Sequence, residues 1–207
     1  MKIIDCEQGS TAWSQARLGV VTASEIDALV TPLWKIRTGE GVETYLHKKL
    51  AEKLLNYPQD SGTSYAMDQG SIVEKIALPW FEFQYDTTVR RVGFCLSDDG
   101  RTGCSPDGLI GDDMGLEVKS PQPATHLKYL LRGEVPPEYL PQIHFSMLVT
   151  GRPRWTFVSF SRQFPPLVVP VMQDKQIQQV LQGAVDLFAQ KFDAALARIN
   201  ALNPQQP

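Results

Sequence analysis

Two short stretches, Ser105-Pro106-Asp107-Gly108 and Leu116-Glu117-Val118-Lys119, hold the residue types that metal-assisted phosphodiester hydrolysis requires. Cutting a phosphodiester with water needs a nucleophilic water, balance for the developing negative charge, and stabilisation of the leaving oxygen. One or two Mg²⁺ ions can serve all three. Mg²⁺ is a hard cation that prefers oxygen ligands, so Asp and Glu are the side chains to look for. A lysine beside such a cation can orient the water or help deprotonate it. In a strand, residues two apart share a face, so Glu117 and Lys119 point the same way while Val118 points into the core. The turn Gly111-Asp112-Asp113-Met114-Gly115 lets the chain double back as a hairpin. Asp107 then lies across from Glu117 and can share a cation with it, and the Val118 main-chain carbonyl offers a further oxygen.

A Glu-x-Lys tripeptide alone is common, and its bland reading is a surface hairpin. Two other features add weight. Glu74 follows Gly70 by four residues on an expected helix, which allows close approach and a third carboxylate. Gln142 and Ser146 lie four apart on another expected helix and share a face, so an amide can hold a phosphate or a water.

These residues need elements to carry them. Residues 1–30 read as a short start and then a helix capped by Thr22 or Ser24. Residues 31–41 read as a basic loop with Lys35 and Arg37. Residues 42–56 show a helical apolar stripe, with His47, Lys48, Lys49, Glu52 and Lys53 opposite it. A loop at 57–66 leads to a helix pattern over 67–85, interrupted by Pro79. Strands are expected over 87–96, 101–110 and 116–119, then a helix over 137–149 and strands over 155–160 and 167–171. A long amphipathic helix is expected from about 174 to 200. The stripe Ile177, Val180, Leu181, Ala184, Leu187, Phe188, Phe192, Leu196 and Ile199 reads as core or subunit packing. The class is α/β or α+β, helices flanking a central group of strands.

Length and composition bound the rest. At 207 residues one domain suffices, and 43% hydrophobic with 21% charged residues is an ordinary globular profile. No apolar run approaches the about 20 residues that span a bilayer. No signal-peptide pattern follows Met1, so the cytoplasm is the expected compartment and no membrane partner is expected. Cys6, Cys95 and Cys104 are odd in number and widely spaced, which argues for neutral thiols rather than a disulfide framework or a zinc knuckle. His47, His126 and His144 have no metal-site spacing. A net charge of −3 excludes coating of nucleic acid by bulk positive charge, but not a nucleic-acid substrate held in one groove.

The order Gly-x-x-x-Glu, Pro-Asp, Glu-x-Lys and helical Gln resembles the PD-(D/E)xK nuclease superfamily. More narrowly, the chain resembles the phage lambda exonuclease (YqaJ-type viral recombinase) family. The likeness rests on Gln8-Gly9-Ser10-Thr11-Ala12-Trp13, Arg17-Leu18-Gly19-Val20-Val21-Thr22-Ala23-Ser24, Cys104 to Leu109, Gly115 to Lys119, and Leu140 to Met147. It implies one nuclease domain over 1–207, with a restriction-endonuclease-like α/β core: a central mixed β-sheet flanked by helices. It implies a Mg²⁺-dependent 5′→3′ exonuclease that digests one strand of linear double-stranded DNA, for phage-type homologous recombination by single-strand annealing. In that role Asp107, Glu117, the Val118 carbonyl and Glu74 bind one or two Mg²⁺ ions, with Mn²⁺ able to substitute, and Lys119 stands at the attacking water. Arg17, Ser24, Ser105 and Gln142 hold the terminal 5′-phosphate, a role that suits a forked guanidinium, hydroxyls and an amide. Without the resemblance, Arg17 reads as a helix-face ion pair and Ser24 as a cap.

The resemblance also implies a homotrimeric ring threaded by DNA, and a single-strand annealing protein as partner, in a bacterial host cell with the gene carried by a phage or prophage. Met67, or Tyr65 beside it, is the candidate wedge that parts the duplex, with core packing as the alternative. Asp98 and Asp99 sit near a further acidic position of the family but in a turn, and neither is assigned. The competing enzyme reading is another superfamily nuclease, RecB-like or a restriction endonuclease, which would share Asp107, Glu117 and Lys119 without needing Arg17 and Ser24.

Overall fold

The computed structural model describes residues 1–59 and 76–202. Among these residues, eight strands form two four-stranded mixed sheets. The first has the order β1-β3-β4-β2, from β1 (Lys2–Ile4), β2 (Val21–Thr22), β3 (Phe94–Leu96) and β4 (Thr102–Cys104). The second runs β5-β6-β7-β8, from β5 (Gly108–Ile110), β6 (Met114–Lys119), β7 (Arg154–Ser159) and β8 (Leu167–Met172). Six α-helices accompany them: α1 (Thr11–Ala16), α2 (Glu40–Leu55), α3 (residues 76–85), α4 (Pro123–Arg132), α5 (Leu140–Thr150) and α6 (Lys175–Leu202). The α/β class is as expected, with the strands divided between two sheets.

The single strand expected over 101–110 is two strands in two different sheets. Pro106 has no N–H to give to a ladder, so pairing stops after Cys104 and resumes at Gly108. At the seam between the sheets Ser105 and Asp107 are half-buried and Pro106 is buried. The strand expected over 87–96 shrinks to Phe94–Leu96, with one isolated bridge from Arg90 to Leu109.

The expected hairpin is present. Gly108 pairs with Leu116 and Ile110 with Met114. β6 then pairs in parallel with β7, placing Glu117 beside Phe157 and Lys119 beside Ser159. Parallel neighbours need a crossover, and α4 and α5 supply it. Gly115 faces the Trp155 ring so closely that an added Cβ would stand 2.3 Å from a ring carbon. Alternation then sends Leu116, Val118 and Val158 to one face of the sheet and Glu117, Lys119 and Phe157 to the other. The first face packs under α3 with Ala77, Leu78 and Phe81. The second belongs to the larger core, where α5 contributes Ile143, Phe145 and Met147.

Helix α5 is apolar almost all round, as a helix enclosed by other elements must be. It contacts β3 and β4 of one sheet, β7 of the other, and α6. Helix α6 is held at its start by Asp174, whose Oδ1 accepts the N–H groups of Gln176 and Ile177 at 2.8 and 3.1 Å. Its stripe is buried at Leu181, Ala184, Val185 and Phe188, whereas Leu187 and Leu202 are exposed.

Several expectations needed correction. The helix expected from Thr22 is a 3-10 helix (Ala23–Ala28), preceded by a separate helix α1 that Ser10 caps. Thr22 occupies the cap position but makes no side-chain cap; its hydroxyl goes to Glu25 instead. Pro79 does not break α3, which continues through it. Helix α4 is an addition to the expected elements. Lys49 and Glu52, assigned to the solvent side of α2, are buried as an ion pair at 3.0 Å. The strand and helix expected late in the chain lie within a residue or two of the observed β7, β8 and α6 bounds. Glu74, Met67, Tyr65 and Gly70 fall outside the described residues. No helix among the described residues is long and apolar enough to cross a membrane.

Candidate active site

The site forms where β6 runs past the end of β5. The register continues from Gly108 and Leu116 to bring Asp107 opposite Glu117, and the Asp107 N–H donates to the Leu116 carbonyl at 3.2 Å. Beyond this pair β5 is gone, and the Asp107 side chain turns to take the next ladder position itself. Its Oδ2 accepts the Val118 N–H at 2.5 Å. In an extended strand the N–H and C=O of one residue point to the same side. The Val118 carbonyl therefore faces the same edge as the Asp107 carboxylate.

Glu117 is 2% exposed. Two donors converge on its Oε1: Lys119 Nζ at 2.5 Å and Gln142 Nε2, from the first turn of α5, at 2.6 Å. Lys119 Nζ also lies 5.3 Å from the centroid of the Tyr139 ring, which stacks on Phe157. Burial works against the Lys119 ammonium, but the charges of Glu117 and Asp107 and the hydrogen bond to Glu117 outweigh it, so its pKa stands above the ordinary lysine value.

Asp107, Glu117 and the Val118 carbonyl form an all-oxygen donor set, with the Lys119 ammonium at its edge. Mg²⁺ keeps several of its waters and takes one or two carboxylates from a protein. Two carboxylates and a carbonyl match that demand. Among the described residues no three His, Cys, Asp or Glu side chains converge as a closed cage, which would suit a structural zinc better.

A second cluster lies on the other side of the Cys104–Asp107 segment. Arg17, at the end of α1, donates through Nη2 to Ser24 Oγ at 3.1 Å and to Thr22 Oγ1 at 3.4 Å. The Trp13 ring covers its guanidinium, with Cζ 4.2 Å from a ring centroid. Trp13 Nε1 donates to Ser105 Oγ at 2.7 Å. Arg17, Ser24 and Ser105 are thus one connected group, and Ser105 stands two residues from Asp107. Gln142 is placed at Glu117, on the carboxylate side of that segment.

Three residues in this region had no role in the sequence reading. Gln8 Nε2 donates to the carbonyls of Pro106 and Val92 at 2.9 and 3.0 Å, tying down the loop before Asp107. Trp13 and Tyr139 pack on the two cations, Arg17 and Lys119. Nothing in local spacing announces a long-range ring–cation contact, although Trp13 stands four residues from Arg17 on the same helical face. The cysteines are all free. His126 is enclosed by Ser159 and the Pro165 carbonyl, at 2.8 and 3.0 Å.

Comparison with known proteins bears on this site. Residues 12–153 match the family model of the YqaJ-like viral recombinase domain. A crystal structure of LHK-Exo in complex with dAMP superposes with a TM-score of 0.83 at 25% identity, covering 95% of this chain and 99% of that one. A second structure of this alkaline exonuclease, from Laribacter hongkongensis, gives 0.83 at 24% with the same coverage. A phage related exonuclease from Haemophilus somnus 129PT shares the fold at a TM-score of 0.65 and 11% identity, over 87% of this chain and 96% of its own. No curated protein sequence matches the chain. The fold is of the restriction-endonuclease-like type that the alkaline exonucleases share.

Proposed function

This chain belongs to the YqaJ-like viral recombinase family, and from that premise we propose that it is a Mg²⁺-dependent 5′→3′ exonuclease of linear duplex DNA. It digests one strand and leaves the other for annealing during phage-type recombination. The observation that carries the reading is the convergence of Lys119 Nζ and Gln142 Nε2 on Glu117 Oε1, opposite Asp107.

Asp107, Glu117 and the Val118 carbonyl hold the ion, and Glu74 is the further carboxylate assigned to it. When bound, Mg²⁺ supplies positive charge that polarises the scissile phosphate and acidifies water. Lys119 orients the attacking water through its Nζ, held in place by Glu117 and the Tyr139 ring. Water adds to phosphorus, the bond to the 3′-oxygen breaks, and that oxygen takes up a proton. The phosphate stays on the next nucleotide, so each cut regenerates a 5′-phosphate end. Arg17, Ser24 and Ser105, with Gln142 on the far side of the Cys104–Asp107 segment, receive that end. The product is a deoxynucleotide monophosphate, the chemical class of the dAMP bound in LHK-Exo.

The same reading carries a ring-shaped homotrimer around the duplex, Met67 as the wedge, a single-strand annealing protein as partner, and work in the cytoplasm of the host. Mn²⁺ is expected to replace Mg²⁺. The test is digestion of linear duplexes beside closed circular DNA of the same sequence. Linear DNA should be degraded from its 5′ ends, only with the divalent ion, and the circle should persist. Cutting of the circle would sink the exonuclease reading in favour of an endonuclease. Lys119→Ala should lower the rate at least about 100-fold; an unchanged rate would remove the lysine from the mechanism.

A further inference from the structure

Arg17 and Ser24 rest on a partly buried array that the proposed function does not use. The Thr22 hydroxyl donates to Glu25 Oε2 at 2.7 Å. The same oxygen is held by Lys49 Nζ at 2.8 Å, and Glu25 Oε1 by Lys48 Nζ at 2.9 Å. Lys49 continues to Glu52 Oε2 at 3.0 Å, and that oxygen accepts the Gly19 N–H at 3.1 Å. Gly19 sits at φ +68°, in the left-handed region where glycine is at ease. Helix α2 thus pins the 17–25 segment at two places, Gly19 and the Thr22–Glu25 pair.

A threonine hydroxyl has one proton and two lone pairs. Here the proton is committed to a carboxylate. Burial alone would raise the Glu25 pKa, but the charge of Lys49 and hydrogen bonds from Lys49, Lys48 and Thr22 bring it down to about 2. Glu25 is therefore an anion and accepts only. Thr22 Oγ1 is left presenting lone pairs, with Arg17 Nη2 and Ser24 Oγ each 3.4 Å away. Ser24 must then be the donor in its contact with Thr22, and its proton can rotate towards an anion. Thr22 is fully buried and has no proton to offer a phosphate.

We propose that Thr22, polarised by Glu25, is the positioning residue that aims the Arg17 guanidinium and the Ser24 hydroxyl at a terminal 5′-phosphate, and so sets the preference for phosphorylated over hydroxyl ends. The inference rests on the phosphate-pocket reading given above. Trp13 covers one face of the guanidinium and Thr22 receives its edge, which leaves the remaining N–H groups for the ligand. The Glu25 charge would repel an incoming phosphate were it not neutralised by Lys48 and Lys49, so the array both orients the donors and screens the carboxylate.

The full chain is assayed on paired linear duplexes that differ only in a 5′-phosphate or a 5′-hydroxyl. Thr22→Val keeps the shape and removes the hydroxyl; Thr22→Ser keeps the hydroxyl. Wild type should prefer phosphorylated ends, Thr22→Val should lose about tenfold of that preference, and Thr22→Ser should retain it. Glu25→Gln, which accepts but carries no charge, should fall between. Thermal midpoints measured alongside identify any variant that has simply failed to fold, in which case the Glu25→Gln ratio decides. Wild-type preference in both Thr22→Val and Glu25→Gln overturns the inference, as does an equal loss on both ends. A wild type indifferent to the phosphate overturns the pocket reading itself, and the inference with it.

Discussion

Glu117 is enclosed by protein, and its Oε1 takes a lysine and an amide at once. A carboxylate in that position is expensive to bury without partners, and Lys119 and Gln142 supply them. Asp107 has a double duty, because its Oδ2 also replaces the missing strand neighbour of Val118. Asp107→Ala should abolish cleavage while leaving DNA binding largely intact, since phosphate contacts elsewhere survive. Parallel measurements of digestion and of binding to a labelled duplex end check this, and loss of binding to the same degree would show that Asp107 is needed to form the end-binding surface. The Glu-x-Lys face was readable from strand period alone. The partners of those residues were not: Gln142 is 25 positions from Glu117, and Tyr139 is 20 positions from Lys119.

At the scale of elements, β6 is the strand on which both halves of the site depend. Its Gly115 lies against Trp155, and an added methyl has nowhere to go without moving the ring. Gly115→Ala should destabilise the fold by about 1–3 kcal/mol through overpacking, read as a lowered midpoint in denaturant; an unchanged midpoint would mean that Trp155 can swing aside. Helix α2 gives a second case. The Glu25 pKa is depressed, so its contribution to stability is complete above the ordinary glutamate value of about 4.3 and is lost as pH falls from there towards 2. The difference in thermal midpoint between wild type and Glu25→Gln should be widest near neutral pH and should close as pH falls from about 5 to 2. A difference that stays constant over that range would show that the charge is not what matters. Lys49 and Glu52 looked like solvent-side residues because helical period marks apolar faces, and cannot see that an ion pair is complete enough to be buried.

For the whole molecule, a net charge of −3 goes with single cations held at fixed places, Arg17 under the Trp13 ring and Lys119 beside Tyr139. Trp13 of α1 reaches the seam through its hydrogen bond to Ser105, and α5 packs on the 3-10 helix, on β3 and β4 of the first sheet and on β7 of the second. Ser105, Pro106 and Asp107 cross this seam, so the Arg17–Ser105 and Asp107–Glu117 groups cannot move apart without breaking the crossing. In the proposed ring, the exposed Leu187 and Leu202 of α6 are the candidate surface for a neighbouring subunit. Light scattering or native mass measurement should find a particle of three 23.1 kDa chains; a monomer that digests DNA processively would remove the ring from the account.

The amino-acid sequence by itself determined the family and the strand face that Glu117 and Lys119 share. Strand period put Glu117 and Lys119 on one side, glycines fixed the hairpin, and that hairpin set Asp107 across from Glu117. Motif order carried the family, and the long amphipathic stripe carried α6. Those are local signals, with partners two to ten residues apart. Only the tertiary structure decided that residues 101–110 serve two sheets, that Gln142 meets Glu117, and that Trp13 joins Arg17 to Ser105. It also decided that Thr22 gives its proton to Glu25 rather than to a helix cap. The reason is the same in each case: these contacts are made between elements distant in the chain, and burial rather than local preference selects which donors and acceptors remain to be paired.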